Sequence, residues 1–229
     1  MPSASRVLLA SLAVTLLVVA AGLGIRLGVA GPEGSDDPDS PGEPGSGQDV
    51  PAAVSPPESL AGLETRGLAA LRAPFCAGIA EAAVVDALGG EPTRAEAYDN
   101  GETAALTPTV TDVSHEHGCL WSDTRTTARG WVFAPPVTPA RARGLADGAA
   151  AGRGCSRVPD APALGEPDVA LVCDRGDVRE ASYRGLLGDA WLVCSITAPR
   201  ALDRAEHLDR AGRWCAAVVT ATTGSTGPD

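Results

Sequence analysis

The chain has 229 residues, and all 18 of its basic residues are arginine, so it has no lysine for a Schiff base or a phosphate-binding P-loop. Its formal net charge of −11 and isoelectric point near 4.7 disfavour nucleic-acid binding, because an acidic surface repels phosphate backbones. The six cysteines all lie after residue 75. The part of the chain that contains them has about 165 residues, which is a usual size for one domain.

An uncharged apolar segment runs from Val7 to Ile25 and is followed by Arg26. At a rise of ~1.5 Å per residue, a helix of this length spans close to the ~30 Å hydrocarbon core of a bilayer. We therefore expect residues 1–30 to form a cytoplasmic tip and a single-pass anchor in the cell membrane. The alternative is a signal peptide cleaved after the small residues Gly28-Val29-Ala30. Arg6 favours a cytoplasmic N-terminus and an extracellular C-terminal domain.

Residues 31–57 are rich in Gly, Pro, Ser and acidic side chains. Seven acidic residues lie between Glu33 and Glu58, and no basic residue accompanies them. Such a composition cannot bury enough apolar surface to offset the entropy of ordering, so we expect a disordered acidic linker. The domain should then occupy residues 58–223, with a short disordered tail at 224–229.

The first part of the domain predicts two helices. Ser59 can cap a helix that carries leucines at 60, 63, 68 and 71 and is stopped by Pro74. A second helix should run from Cys76 to Leu88 and end at Gly89-Gly90. Residues 91–114 are polar, contain two prolines and predict a long loop.

The second part of the domain alternates strand patterns with two further helices. Thr138-Pro139 is a capping pair that should open an Ala-rich helix to about Ala151. Another helix should run from about Pro199 to Thr220. The strands are expected at 118–123, 130–134, 168–174, 178–183 and 190–197. This order predicts an α+β fold, with an antiparallel sheet of about five strands and helices packed against it.

A helical wheel of the last helix predicts which of its residues face the sheet. The apolar residues on one arc are Ala205, Leu208, Ala211, Cys215, Val218 and Val219. Trp214 lies outside that arc, so it is interpreted as a lid over a sheet edge or an exposed contact. His207, on the flank, is expected to be exposed to solvent.

The cysteines should form disulfide bonds if the domain lies outside the membrane. Cys155 and Cys173 flank a loop that a bridge closes easily, and Cys194 and Cys215 lie on the last strand and last helix. Cys76 and Cys119 would then remain for the third bridge. In the alternative pairing, Cys76 meets Cys215 between two helices.

His115, His117 and Cys119 share one face if the strand extends that far, and two histidines with a thiolate form a plausible zinc triplet. A disulfide at Cys119 would remove the thiolate, however, so the two histidines are interpreted as surface residues. Ser182 and Ser195 lack the Gly-x-Ser-x-Gly pattern of a nucleophile elbow. The sequence thus predicts no catalytic residue, resident metal or cofactor.

Three short motifs resemble a group of uncharacterised actinobacterial cell-envelope proteins, many of them lipoproteins. These motifs are Cys76 on a short helix ending at Leu88-Gly89, then Cys119-Leu120-Trp121 on a strand, then Trp214-Cys215 on the last helix. The likeness covers residues 74–223 and implies fold and location. The chain differs from the group by having no cysteine for lipidation after its apolar segment. A similar layout occurs in extracytoplasmic sensor domains of some actinobacterial kinases.

The sequence therefore predicts a non-catalytic extracytoplasmic domain that binds or senses a small ligand, an envelope component or a partner protein. The alternative is an envelope hydrolase or a metal-dependent enzyme. A binding domain needs a concave pocket without converging catalytic groups, whereas an enzyme needs a Ser, Asp or His cluster gathered from distant stretches.

Overall fold

The computed structural model describes residues 59–107 and 109–224. The predicted anchor at Val7–Ile25, the predicted linker and all but the first residue of the predicted tail lie outside the described residues. No helix within the described ranges is both long and apolar enough to span a bilayer.

The described part of the chain contains nine strands and three α-helices. The strands are β1 (Arg94–Tyr98), β2 (Thr103–Thr107), β3 (Val110–Val113), β4 (Glu116–Ser122), β5 (Thr127–Phe133), β6 (Cys155–Arg157), β7 (Asp168–Arg175), β8 (Val178–Leu187) and β9 (Ala190–Pro199). The helices are α1 (Glu81–Leu88), α2 (Pro139–Ala150) and α3 (Arg204–Thr222). Seven strands form one antiparallel sheet in the order β1-β4-β5-β9-β8-β7-β6, and β2 and β3 form a separate hairpin.

The sheet has a hydrophobic core on each face. On one face, α1 and α3 pack against alternate residues of the central strands, such as Leu192 and Ile196 of β9. On the other face, α2 covers Leu171 and Trp191. Alternate residues of a strand point to opposite faces, so the central strands are apolar throughout and serve both cores. The predicted α+β class is confirmed, and the sheet has two more strands than predicted.

The first predicted helix is absent from the described structure, where residues 60–62 form a single 3₁₀ turn. Ser59 precedes this turn without a side-chain capping bond. The backbone beyond the turn bonds to distant strands and helices instead, since Ala70 N donates to Leu187 O and Leu71 N to Thr222 O, at 3.3 and 2.7 Å. These long-range bonds replace the local bonds that the leucine spacing predicted.

The second predicted helix is shorter than expected. Cys76 lies in a 3₁₀ turn, and α1 begins only at Glu81. The predicted stop is confirmed, because Gly89 adopts the left-handed conformation at φ 77° and its N–H bonds to carbonyls of the last turn.

The stretch predicted as a loop, residues 91–114, contains three strands. β1 is an edge strand that pairs with β4, and every residue of β3 is exposed. Edge and hairpin strands with solvent on most sides need few apolar residues, so the sequence alternation that marks buried strands is missing here.

The five predicted strands and the capped helix are confirmed at their centres. The Thr138 hydroxyl accepts a hydrogen bond from the Arg141 N–H at 3.3 Å, and Pro139 occupies the first turn of α2. The capping pair therefore acts as its sequence predicts.

Two glycines on the exposed side of α2 give a stability prediction. A Cβ at Gly144 or Gly148 would meet no atom within 4 Å. Because glycine costs a helix interior roughly 0.5–1 kcal/mol relative to alanine, we expect Gly144→Ala and Gly148→Ala each to raise the free energy of unfolding by about that amount. Urea denaturation followed by circular dichroism measures the change, and a loss of stability in both variants would contradict it.

Helix α3 buries more of its surface than the wheel predicted. The Asp203 carboxylate caps its start by accepting from the N–H groups of Ala205 and Glu206, at 2.9 and 3.1 Å. The predictions for Trp214 and His207 are wrong, since these side chains are 1% and 0% exposed. The helix packs against both the sheet and α1, so its buried arc is wider than contact with one neighbour requires.

Both misassigned side chains have buried polar partners. The Trp214 indole Nε1 donates to the carbonyl of Arg129 at 2.9 Å, and its ring meets that of Trp121 edge to face, with centroids 5.6 Å apart. The His207 Nε2 lies 3.0 Å from the carbonyl oxygen of Ile196. Trp214 Nε1 and His207 Nε2 thus each have a backbone acceptor, which lowers the cost of burying them, whereas His207 Nδ1 is buried without a partner among the described residues.

His207 predicts a pH dependence of stability. Burial lowers the pKa of His207 from its usual 6.5, with the positive charges of Arg179 and Arg210 acting in the same direction and the bond to Ile196 opposing them. Below pH 6.5 the unfolded chain binds a proton that the folded chain does not. The free energy of unfolding should then fall with decreasing pH, by up to ~1.4 kcal/mol per pH unit, until the folded pKa is reached.

Other groups also titrate in this pH range. The contribution of His207 is therefore taken as the difference between the pH dependence of the free energy of unfolding in the wild type and that in His207→Gln. The amide of glutamine can donate to the same carbonyl but does not titrate. We expect denaturation series between pH 5 and 7.5 to show a smaller slope for His207→Gln. Equal slopes in the two proteins would contradict the assignment.

The three disulfide bonds follow the sequential pairing: Cys76–Cys119, Cys155–Cys173 and Cys194–Cys215. The fold explains two of the pairs. Cys155 and Cys173 are register partners on β6 and β7, while Cys194 on β9 faces Cys215 on α3. The alternative that joins Cys76 to Cys215 is therefore wrong.

Candidate functional site

His115 and His117, the two candidate zinc ligands, have no third ligand beside them among the described residues. His115 lies in a bend before β4 and is exposed, whereas His117 Nδ1 lies 3.0 Å from a carboxylate oxygen of Asp99. Cys119 is bonded to Cys76 and offers no thiolate. Across the described ranges, no group of three or more His, Cys, Asp or Glu side chains is arranged to hold a metal ion.

Glu116 points to the face opposite His117 and belongs to a half-buried polar cluster. The Tyr98 hydroxyl donates to Glu116 Oε1 at 2.5 Å, and Arg129 Nη2 donates to the Tyr98 oxygen at 2.6 Å. Burial raises the pKa of Glu116 and of Tyr98. The pair Arg129–Glu116, at 3.4 Å, keeps a positive charge beside the carboxylate.

A glycine on β4 makes this cluster possible. Gly118 is the register partner of Tyr98, and a Cβ at this position would overlap the Tyr98 ring. The ring can therefore lie across β4 and reach Arg129 on β5, whose guanidinium carbon is 5.8 Å from the ring centroid. Arg129 Nη1 also donates to the carbonyl of Leu106, so the cluster ties the β2–β3 hairpin to the sheet. These bonds assign the cluster a structural role.

The two serines weighed as nucleophiles lie opposite each other on β8 and β9. Ser182 is buried, and its hydroxyl accepts from Arg184 Nε at 3.2 Å, while Ser195 is half-buried. In the part of the chain that the structure describes, neither serine is hydrogen-bonded to a histidine.

A cleft of about 240 Å³ lies on the α3 side of the sheet. Three segments form it: the turn at 59–61, the loop at 158–162 and the middle of α3. Its floor is Tyr183 of β8. The lining residues are Ser59, Leu60, Ala61, Val158, Pro159, Asp160, Ala161, Pro162, Tyr183, Leu208, Asp209 and Gly212.

Tyr183 is a buried residue of β8 whose hydroxyl lines the cleft. Only 4% of the residue is exposed, and its hydroxyl has no hydrogen-bond partner among the described residues. Burial raises the pKa of Tyr183, and the negative charge of Asp209 adds to this effect. The phenol is therefore neutral at physiological pH and can both donate and accept a hydrogen bond. The hydroxyl is accessible from the cleft, so water or a ligand can bond to it.

Gly212 keeps the space above the hydroxyl open. It lies in the middle of α3, where a Cβ would meet, outside its own helix backbone, only the Tyr183 hydroxyl oxygen, at 3.8 Å. Alanine would fit this position and stabilise the helix by roughly 0.5–1 kcal/mol. Glycine thus lowers helix stability at the point of α3 that faces the Tyr183 hydroxyl.

The sequence contained one signal of this cleft, a glycine inside an otherwise regular helical pattern. The signal does not identify the side chain opposite the glycine, because Tyr183 is 29 positions away and meets it only through the packing of α3 on β8.

No protein-family model matches this chain, and no curated protein matches it either.

Proposed function

We propose that this chain is a membrane-anchored extracytoplasmic domain that binds a small ligand in the cleft beneath α3 and catalyses no reaction on it. The observation that carries the proposal is the Tyr183 hydroxyl, which belongs to an otherwise buried residue and lines the cleft without a protein partner among the described residues. Small-molecule sites are typically concave and largely apolar, with a few polar groups that orient the ligand. Leu60, Leu208 and Pro162 supply such walls here.

The ionisable groups around the cleft favour binding over catalysis. Among the residues that line it are Tyr183, Asp160 and Asp209, and Arg213 holds one oxygen of Asp209 in an ion pair. The described lining includes no histidine and no nucleophile hydrogen-bonded to a base, the arrangement by which hydrolytic sites are recognised.

The extracytoplasmic location is supported by the three disulfide bonds, since these form and persist in oxidising compartments. It is supported as well by the apolar segment Val7–Ile25, which is long enough to cross a bilayer. The resemblance to actinobacterial envelope proteins and to kinase sensor domains points to the same compartment.

A fragment screen tests the binding proposal even though the ligand is unidentified. Several hundred soluble fragments are measured by saturation-transfer difference NMR against the full-length wild type, against Gly212→Leu, which fills the cleft, and against Gly144→Leu, which adds the same side chain on the exposed side of α2. We expect fragments that bind the wild type and Gly144→Leu but not Gly212→Leu. If every bound fragment also binds Gly212→Leu, the cleft is not the site.

Tagged chains test the location. We expect a C-terminal epitope to be accessible on intact spheroplasts and an N-terminal epitope only after lysis, with the protein retained in the membrane after alkaline carbonate treatment. Release of a chain that begins after Ala30 would instead support the cleaved signal peptide. A C-terminal epitope that is protected in spheroplasts would contradict the extracellular placement.

A further inference from the structure

The charges of the cleft indicate which ligands it can accept. Asp160 and Asp209 contribute two carboxylates to the lining, and no arginine lines this cleft in the described structure. Both carboxylates are exposed, and Asp209 is paired with Arg213. The described lining carries no positive charge of its own, so it favours a cation over an anion. From this arrangement, which rests on the proposed function, we infer that the ligand carries a primary ammonium group on a short aliphatic chain.

Asp209 and Tyr183 supply acceptors suited to an ammonium group. Arg213 Nη1 donates to Asp209 Oδ2, which leaves Oδ1 without a partner among the described residues. The Tyr183 oxygen accepts as well as it donates. A protonated amine has three donors and no acceptor, so it can bond to a carboxylate oxygen or to the phenol oxygen without leaving an acceptor of its own unpaired. A neutral hydroxyl of the ligand would bond to the same oxygens without relieving the negative charge.

The remaining walls suit an aliphatic chain. Leu60, Leu208, Pro159 and Pro162 line the cleft beside the polar floor. Only 4% of Tyr183 is exposed, so the face of its phenol ring is covered. The cleft therefore offers no aromatic face of the kind that stacks on sugar rings or cages quaternary ammonium groups. Methylene groups of a primary amine gain instead from apolar contact.

Two sources can present this chemistry outside the cell: a free diamine, and the amine of a lysine or diamino-acid side chain in a peptide. Both carry a protonated amine on a short methylene chain. They differ at the far end of that chain, since a peptide extends out of the cleft and a free diamine does not. Titrations with 1,5-diaminopentane and with Nα-acetyl-lysine amide distinguish them.

The test is calorimetric titration of the full-length protein with a set of probes that share one carbon chain: 1,5-diaminopentane, 1,5-pentanediol and glutarate. We expect the diamine to bind at least tenfold more tightly than the diol and glutarate not to bind. Tyr183→Phe should weaken diamine binding about 3- to 10-fold and Asp209→Asn at least tenfold, because hydrogen bonds to a charged group are the stronger class. Gly212→Leu should abolish it.

The matched control is Asp147→Asn, which neutralises an exposed carboxylate of α2, the helix on the opposite face of the sheet from the cleft. This variant should bind the diamine as the wild type does. Arg213 remains paired with Asp86 in Asp209→Asn, so that variant is expected to fold, and its circular dichroism and disulfide content check this.

The outcomes separate the ammonium inference from the proposed function. If the diol binds as tightly as the diamine and Gly212→Leu abolishes both, the cleft remains a binding site and the ammonium inference is wrong. If diamine binding is equally weakened by Asp147→Asn and by Asp209→Asn, the acidic surface attracts it nonspecifically, and the inference is wrong. If no probe binds, the inference is again wrong, and the fragment screen decides the proposed function independently.

Discussion

Gly185→Ala is expected to lower the free energy of unfolding by ~3 kcal/mol. A Cβ at this position of β8 would overlap the carbonyl oxygen of Leu164 and would lie 3.1 Å from the Asp168 Cβ. The obstruction is backbone, which cannot rotate away as a side chain can.

The cost is high because the loop that approaches Gly185 is itself fixed. The N–H of Glu166 donates to the carbonyl of Leu186 at 2.9 Å, and the N–H of Leu164 donates to Asp168 Oδ2 at 3.0 Å. Relieving the overlap would therefore break these bonds. Urea denaturation of Gly185→Ala beside Gly148→Ala measures the effect, since the second variant adds the same methyl group in open space. Equal free energies of unfolding for the two variants would contradict the close approach of the Leu164 carbonyl to Gly185.

Removal of the Cys194–Cys215 bond by substituting alanine at both positions is expected to cost about 2–5 kcal/mol, the usual range for a native disulfide of an exported domain. The bond joins β9 to α3, and both of its cysteines are 0% exposed. Its loss gives the unfolded chain more conformations, which favours unfolding. It also leaves a cavity in the core of the folded protein.

The Cys155–Cys173 bond provides the matched comparison. Its cysteines are 18 positions apart, and those of Cys194–Cys215 are 21 apart, so the loop-closure entropies of the two bonds are nearly equal. Cys155 is only partly buried and lies at the edge of the sheet. We expect the double alanine variant of the edge bond to lose less stability and the bond itself to be reduced first by dithiothreitol. Mass spectrometry after timed alkylation gives the order, and earlier opening of Cys194–Cys215 would contradict this account.

The sequence predicted the centre of the fold well because its signals there are local. The strand at 118–123 alternates around Cys119 and Trp121, and the start of α2 is specified by Thr138 and Pro139. The sequential disulfide pairing was among the predicted alternatives, because strand and helix order already places Cys194 near Cys215.

The edges of the fold were less predictable because their structure depends on distant partners. β1 is held by β4 and carries mostly exposed side chains, and its only apolar residues besides Tyr98 are two alanines, so its own sequence gives little signal of a strand. The leucines after Ser59 have helical spacing, yet their backbone bonds to the end of β8 and the end of α3. The burial of His207 depends on a carbonyl of β9.

The candidate site was not predictable in its geometry. The histidines at 115 and 117 suggested a metal site because they are close in sequence, but the strand places only His117 against an acidic partner. The cleft instead combines Tyr183 with Gly212, and neither is a conspicuous residue in isolation. Tertiary packing creates the site, and a single sequence contains little information about such packing.

Tyrosine NMR tests most directly whether the cleft is the binding site. The chain has two tyrosines, so labelling with [ζ-¹³C]tyrosine gives one signal from Tyr183 in the cleft and one from Tyr98 in the hairpin cluster. On titration with 1,5-diaminopentane, we expect the Tyr183 signal to shift and saturate while the Tyr98 signal stays in place. A Tyr183 signal that does not respond, or two signals that shift together without saturation, would contradict binding at this cleft.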